Sequence, residues 1–244
     1  MGRAAFTATA VSTFCAAVVL AGCVSPAPGP ATSSPPAPPA TSASAPTSTV
    51  TPSATASPTA TVPAGWKTFT TSDGSLAFDY PESWTIKDPA GAPAEGGVFV
   101  ELSTDYGKLM ATLRTNMVTG AECTEKYPFM VYDAEPVPAL VQGGATPRFV
   151  YEGRTDPASS EPEEALDLAY GITTAPEPTG DTACPIFHFF TWPPSGATFG
   201  GVYDPFDTNP GGPQNVDTPE VYKDTAEYQN VKRVITSLRP VGKP

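Results

Sequence analysis

Residues 24–64 consist almost entirely of Pro, Ala, Ser and Thr, and this tract decides where the chain can fold. It contains no charged or aromatic residue, and three valines are its only larger apolar side chains. Without apolar area to bury, the ordering cost of roughly 1–2 kcal/mol per residue is not recovered. Frequent prolines favour extended polyproline II geometry. We therefore expect a disordered linker after residue 23 and one folded domain over residues 65–244.

The predicted domain is strongly acidic. It holds 12 of the 13 basic residues and all 25 acidic residues, which gives it a formal charge of −13. Nucleic-acid binding depends on Lys and Arg neutralising phosphates, so this charge argues against a nucleic-acid partner. The same charge disfavours direct docking of the domain on anionic lipid headgroups.

The first 22 residues have the parts of a secretory signal. Arg3 is followed by an apolar run that ends in the tetrapeptide Leu20-Ala21-Gly22-Cys23. This tetrapeptide resembles the bacterial lipobox, which implies transfer of diacylglycerol to the thiol of Cys23 and cleavage before it. The alternatives are an uncleaved transmembrane anchor and a plain signal peptide with a chance cysteine. Against the anchor, Thr and Ser interrupt the run and no cluster of Lys or Arg follows it. We predict a signal peptide over 1–22, a lipidated Cys23 at the start of the linker 23–64, and anchoring on the outer face of the cytoplasmic membrane.

Alternating apolar residues dominate the predicted domain and indicate strands. Strands are expected over 76–80, 84–86, 98–102, 109–117, 149–152, 166–172, 185–192 and 198–203. The turn Asp105-Tyr106-Gly107 joins the third and fourth of these as a hairpin. In the run 185–192, apolar residues fall on both faces, which favours a central strand that is covered on each side.

The C-terminal segment predicts a helix. Asp217 or Thr218 can cap it, and Pro219 suits its first position. Its apolar stripe recurs at three- and four-residue spacing through Tyr228, Val231, Val234, Ile235 and Leu238. The predicted fold class is α+β, a mainly antiparallel sheet with the C-terminal helix packed across it.

Two segments carry a family resemblance. The segment 76–86 is a strand followed by Tyr80-Pro81 and Trp84, and the helix closes on Ser237-Leu238-Arg239-Pro240. Both are similar to the ends of PsbP-like domains in LpqN-type actinobacterial lipoproteins. The resemblance implies an α/β/α sandwich and a binding or scaffolding role, without a shared set of catalytic residues.

Each of the four cysteines can be assigned a role from the compartment in which it ends. Cys15 leaves with the signal peptide and Cys23 takes the lipid, so Cys123 and Cys184 remain as a pair where disulfides are permitted. The alternative is two free core thiols. A zinc site is disfavoured because two cysteines and one histidine make an incomplete ligand set.

His188 is the sole histidine, and it lies among phenylalanines. Every Ser-His-Asp or Cys-His mechanism would need it, yet the domain has neither a free cysteine nor a Gly-x-Ser-x-Gly elbow. We expect His188 to be a satisfied histidine within the sheet.

Two groups of oxygen-bearing side chains remain. Carboxylates that could serve a glycosidase cluster in a Ser/Pro loop at Glu161, Glu163 and Glu164, where solvated charges are the ordinary explanation. Oxygen ligands for calcium occur at Asp204, Asp207 and Asn209, but their spacing does not fit an EF-hand. No catalytic residue, metal site or cofactor is predicted.

These observations predict a monomeric, noncatalytic envelope lipoprotein that binds a protein, glycan or lipid partner. A carboxylate-dependent envelope hydrolase and a lipid-carrying domain are the alternatives. A deep acidic cleft with two carboxylates about 5–9 Å apart would favour the hydrolase. A dry tunnel would favour the carrier, and a flat surface with exposed aromatic side chains would favour a protein or glycan binder.

Overall fold

The computed structural model describes residues 62–118, 120, 122–161, 165–206 and 218–242. The predicted signal peptide, Cys23 and the linker up to residue 61 lie outside these residues. The described strands are β1 Trp66–Thr70, β2 Leu76–Pro81, β3 Thr85–Lys87, β4 Phe99–Ser103, β5 Leu109–Thr115, β6 Tyr127–Pro136, β7 Arg148–Thr155, β8 Leu166–Thr173, β9 Thr182–Ala183, β10 Phe190–Trp192, β11 Ser195–Val202 and β12 Arg239–Pro240. The described helices are a 3₁₀ turn Pro138–Leu140, α1 Pro219–Tyr222 and α2 Ala226–Thr236.

Most strands belong to one large antiparallel sheet. Its order is β3-β4-β5-β11-β8-β7-β6-β9, and β10 pairs with the first half of β11. The predicted hairpin joins β4 to β5 through Gly107, whose φ of +89° favours glycine. The register between β4 and β5 shifts between Leu102 and Ser103, the partner of Leu109, and Leu109 is 50% exposed.

The inner face of the large sheet carries the core. Helix α2 lies on it beside a smaller sheet of order β1-β2-β12. The phenyl rings of Phe78 in β2 and Phe199 in β11 have centroids 5.1 Å apart, which joins the two sheets. The predicted helix stripe is buried at Tyr228, Val231, Val234, Ile235 and Leu238. A mainly antiparallel sheet with a C-terminal helix packed on it is therefore confirmed.

The C-terminal helix is broken, which corrects the expectation of one continuous helix. Thr218 and Pro219 begin the single turn of α1 as predicted, but a second start follows at Thr225. The hydroxyl of Thr225 accepts the backbone N–H of Tyr228 at 3.1 Å and donates to the carbonyl of Tyr222 at 2.7 Å. Because this hydroxyl satisfies groups at both helix ends, it stabilises the break.

The predicted strand over 185–192 is wrong for its first five residues. Only Phe190–Trp192 forms a strand, and residues 185–189 belong to no strand. Residues 184–189, named the strap below, instead cross the outer face of the large sheet, opposite α2. A covering segment between sheet and solvent also places apolar residues on both faces, so its pattern is the same as that of a central strand.

Candidate binding groove

Where the strap crosses the outer face of the large sheet, few side chains project from the sheet because small residues lie on neighbouring strands. Gly171 of β8 lies opposite Gly200 of β11 and opposite Val150 of β7. A Cβ added at Gly171 would lie only 2.8 Å from Nδ1 of His188. The glycine therefore provides the space in which the imidazole rests on the sheet backbone.

A buried cluster of charged side chains fixes the strap. On the outer face of β7, Glu152 Oε2 and an Arg154 guanidinium nitrogen are 3.1 Å apart. Glu152 Oε1 lies 3.0 Å from Nε2 of His188, and Arg154 donates from Nε to the carbonyl of Cys184 at 2.6 Å. The three side chains are each less than a tenth exposed. Two strap residues are thus bound to one ion pair of the sheet.

Glu152 is held in its charged form. Burial alone would raise its pKa, but the hydrogen bond to His188 and the charge of Arg154 outweigh burial and lower the pKa. An ionised carboxylate only accepts hydrogen bonds, so Nε2 of His188 is the donor. In the neutral ring Nδ1 then keeps its lone pair.

Covalent and backbone bonds fix the two ends of the strap. Cys123 and Cys184 form the predicted disulfide, with Cα atoms 5.5 Å apart. At the other end, the backbone N–H of Thr174 donates to the carbonyl of Phe189 at 2.9 Å.

His188 has a hydrogen-bond partner in Glu152, as expected, although His188 lies in the strap and outside the strands.

An open groove of about 250 Å³ lies between the strap and strands β5, β11 and β8. Ile186, Phe187 and His188 form its strap side. The sheet contributes Thr112, Ala169, Tyr170, Thr198, Gly200, Gly201 and Val202. Phe187 is 49% exposed and Val202 is 73% exposed, so large apolar side chains meet solvent at its edge. The two exposed side chains make this groove the candidate interaction site of the outer face.

The space between helix and sheet is filled by tyrosines. Tyr151, Tyr170, Tyr222 and Tyr228 are almost completely buried, and burial raises the pKa of each. The hydroxyl of Tyr151 has no hydrogen-bond partner among the described residues. This packing leaves α2 in direct contact with the aromatic core.

Glu227 joins helix α2 to the β4–β5 hairpin. It accepts hydrogen bonds from Tyr106 at 2.6 Å, from Lys108 at 2.8 Å and from Tyr222 at 3.1 Å. Burial and the neighbouring Glu227 carboxylate raise the pKa of Tyr106 to about 12. The network is satisfied within the fold, which indicates a structural role.

The two predicted oxygen clusters are described only in part. Glu161 and Asp204 are exposed, and Glu163, Glu164, Asp207 and Asn209 lie outside the described residues. Within the described part, no group of three or more His, Cys, Asp or Glu side chains could hold a metal ion. No helix found there is long and apolar enough to cross a membrane.

Glu152 and Arg154 are the site residues that sequence reasoning missed. Their signal was present, because Val150, Glu152 and Arg154 alternate on one face of a strand whose other face is aromatic.

Comparison with protein-family models, with curated proteins and with solved structures finds no match to this chain.

Proposed function

We propose that this chain is a lipid-anchored cell-envelope lipoprotein of the LpqN type, with a PsbP-like domain that binds a partner noncatalytically. The lipid on Cys23 holds it to the outer face of the cytoplasmic membrane, and residues 24–64 act as a spacer into the wall. The domain binds as a monomer through its outer-face groove. The observation that carries this proposal is the half-exposed Phe187, presented at the groove by a strap that is fixed at both ends.

The state of the buried carboxylates supports binding over hydrolysis. A general acid needs a raised pKa, whereas the pKa of Glu152 beside the groove is lowered by His188 and Arg154. Asp79 lies 2.9 Å from the Arg239 guanidinium. Such ion pairs are typical of structural carboxylates, and a carboxylate hydrolase requires one acid that stays protonated.

The packing between helix and sheet supports surface binding over lipid carriage. A carrier encloses its ligand in an apolar tunnel, and this space is occupied by the four buried tyrosines. The groove is instead open to solvent and edged by exposed apolar side chains. A surface with exposed aromatic residues suits a protein or glycan partner.

The envelope location rests on three features of the sequence. The Leu20-Ala21-Gly22-Cys23 tetrapeptide follows an apolar run, the domain is too acidic to attach itself to anionic lipid, and the linker is uncharged. The bond between Cys123 and Cys184 is consistent with an oxidising compartment. An extended linker of 41 residues reaches roughly 100 Å from the membrane.

Photo-cross-linking in living cells tests the proposal. A photoreactive residue replaces Phe187 at the groove, and the matched control replaces Phe206, which is 47% exposed and lies outside the groove. We expect a discrete cross-linked product from position 187 and little from position 206. Equal products from both positions, or none from position 187, would contradict binding through the groove.

A further inference from the structure

We infer that the groove binds one ring of a neutral wall saccharide, stacked on Phe187 and hydrogen-bonded to side chains of the sheet. The inference rests on the proposed binding function and specifies its ligand class. Four features of the groove lead to it: its place on the sheet, its charge, its polar groups and its size.

The position of the groove on the sheet disfavours a peptide. Its sheet side is formed by β5, β11 and β8, which are interior strands of the large sheet. Ladders join β11 to β5 over Ala197–Gly200 and to β8 over Gly200–Val202, so these strands present no continuous free edge at the groove. A peptide bound in extended form relies on free backbone groups at a sheet edge. Recognition in this groove must come from side chains.

The charge of the groove selects an uncharged ligand. Its lining consists of His188 with aliphatic, aromatic, glycine and threonine residues, and it contains no Asp, Glu, Lys or Arg. The domain around it is strongly acidic. Acidic polysaccharides and anionic lipid headgroups would be repelled by this domain and would find no cationic partner in the lining.

The polar groups of the lining suit a sugar ring. Thr112 and Thr198 lie on neighbouring strands, and their registers place them on the outer face with Gly200. Both threonine hydroxyls can hydrogen-bond to sugar hydroxyls, while the half-exposed Phe187 offers an aromatic face to the apolar side of the ring.

The size of the groove suits a single ring. Its volume of about 250 Å³ is below the range of roughly 300–1,000 Å³ typical of pockets for drug-sized molecules. Because the groove is open, a chain of sugars can continue past it on both sides. An acyl chain in the same place would remain in contact with water, which removes the gain that drives lipid binding.

Nuclear magnetic resonance of the purified full chain tests the inference, because the sole histidine gives unambiguous imidazole signals. Neutral hexasaccharides of glucose, mannose and N-acetylglucosamine are titrated separately, with hexagalacturonate as the acidic control. We expect at least one neutral hexasaccharide to shift the His188 signals saturably. We expect hexagalacturonate to leave them unchanged.

Matched variants locate the binding. Phe187→Ala should weaken saccharide binding about fivefold or more, and Phe206→Ala should leave it within about twofold. Thr198→Val, which removes one hydroxyl without changing volume, should weaken it about threefold or more. Equal effects of Phe187→Ala and Phe206→Ala would overturn the inference, as would a panel in which no neutral hexasaccharide shifts His188.

The two proposals fail separately. If no saccharide shifts His188 while position 187 still cross-links to a protein in cells, the saccharide inference is wrong and the binding function stands. If a proline-rich hexapeptide shifts His188 and the saccharides do not, the ligand class is wrong. If both the titrations and the cross-links are negative, the binding function falls as well.

Discussion

Glu152 is the residue on which the strap most depends, because it pairs with Arg154 and holds His188. Glu152→Gln removes the charge and leaves the Arg154 guanidinium buried without a counter-ion. We expect the free energy of unfolding to fall by about 3–5 kcal/mol. The control is Glu101→Gln, which breaks the exposed ion pair with Lys87 and should cost less than about 1 kcal/mol. Urea denaturation at pH 7 measures both, and equal losses would contradict the account.

The lowered pKa of Glu152 also predicts a pH dependence. Because the folded pKa lies below the unfolded value of about 4.3, this carboxylate stabilises the fold above that pH. Its contribution is lost as the pH falls through the folded pKa. The difference in unfolding free energy between wild type and Glu152→Gln should therefore be largest near neutral pH and should shrink below about pH 4. A difference that stays constant from pH 7 to pH 3 would show that folding does not lower the pKa of Glu152.

At the residue scale, the sequence indicated which side chain was chemically distinctive but not which side chains it would contact. His188 was identified because it is unique, whereas its partner Glu152 lies 36 positions earlier. Arg154 likewise binds the carbonyl of Cys184, 30 positions away. The strap reaches β7 through two side-chain hydrogen bonds and through no strand ladder. A long-range pairing of this kind depends on the order of strands, which a single sequence does not specify.

At the scale of the elements, the break between α1 and α2 predicts which threonine contributes to stability. Thr225→Ala removes a capping hydroxyl that bonds to Tyr228 and Tyr222, and should cost about 1 kcal/mol. Thr218 occupies the same position before α1 but its side chain makes no capping hydrogen bond. Thr218→Ala should therefore change the melting temperature much less. A larger loss from Thr218→Ala would contradict the assigned cap.

The disulfide should stabilise both the whole fold and the strap. Replacing Cys123 and Cys184 by serine opens a loop whose ends are 61 residues apart, and the chain-entropy model predicts a loss of about 4 kcal/mol. Amide hydrogen exchange at residues 186–189 should accelerate more than exchange in β7. An unchanged melting temperature under reducing conditions, with free thiols at both positions in the untreated protein, would exclude the bond.

Some elements were predictable because their pattern is clean. β2, β4, β7 and β8 alternate between buried core and the opposite face, and each was expected near its observed position. β6 was missed because it lies near the sheet edge, where its side chains are mostly half-buried and show no apolar period. The strap was mistaken for a strand because a segment that covers a sheet face has the same apolar composition.

At the scale of the whole molecule, composition indicated which part of the chain folds but did not indicate how its distant segments pair. The shift from Pro, Ala, Ser and Thr to a mixed, acidic sequence indicated where folding begins, and the described sheets all lie after it. The small sheet of β1, β2 and β12 joins residues more than 150 positions apart. The pairing of these strands follows from their packing against α2. No local sequence pattern predicts that packing.

The central claim is that a lipid on Cys23 attaches this acidic binding domain to the membrane, and fractionation of a Cys23→Ala variant tests it most directly. Membranes are washed in high salt, and the chain is followed by immunoblot and by incorporation of labelled fatty acid. We predict that the wild type stays in the membrane fraction with label and that Cys23→Ala is released without label. A variant that remains in the washed membranes without label would contradict the account and would show that residues 4–22 span the bilayer.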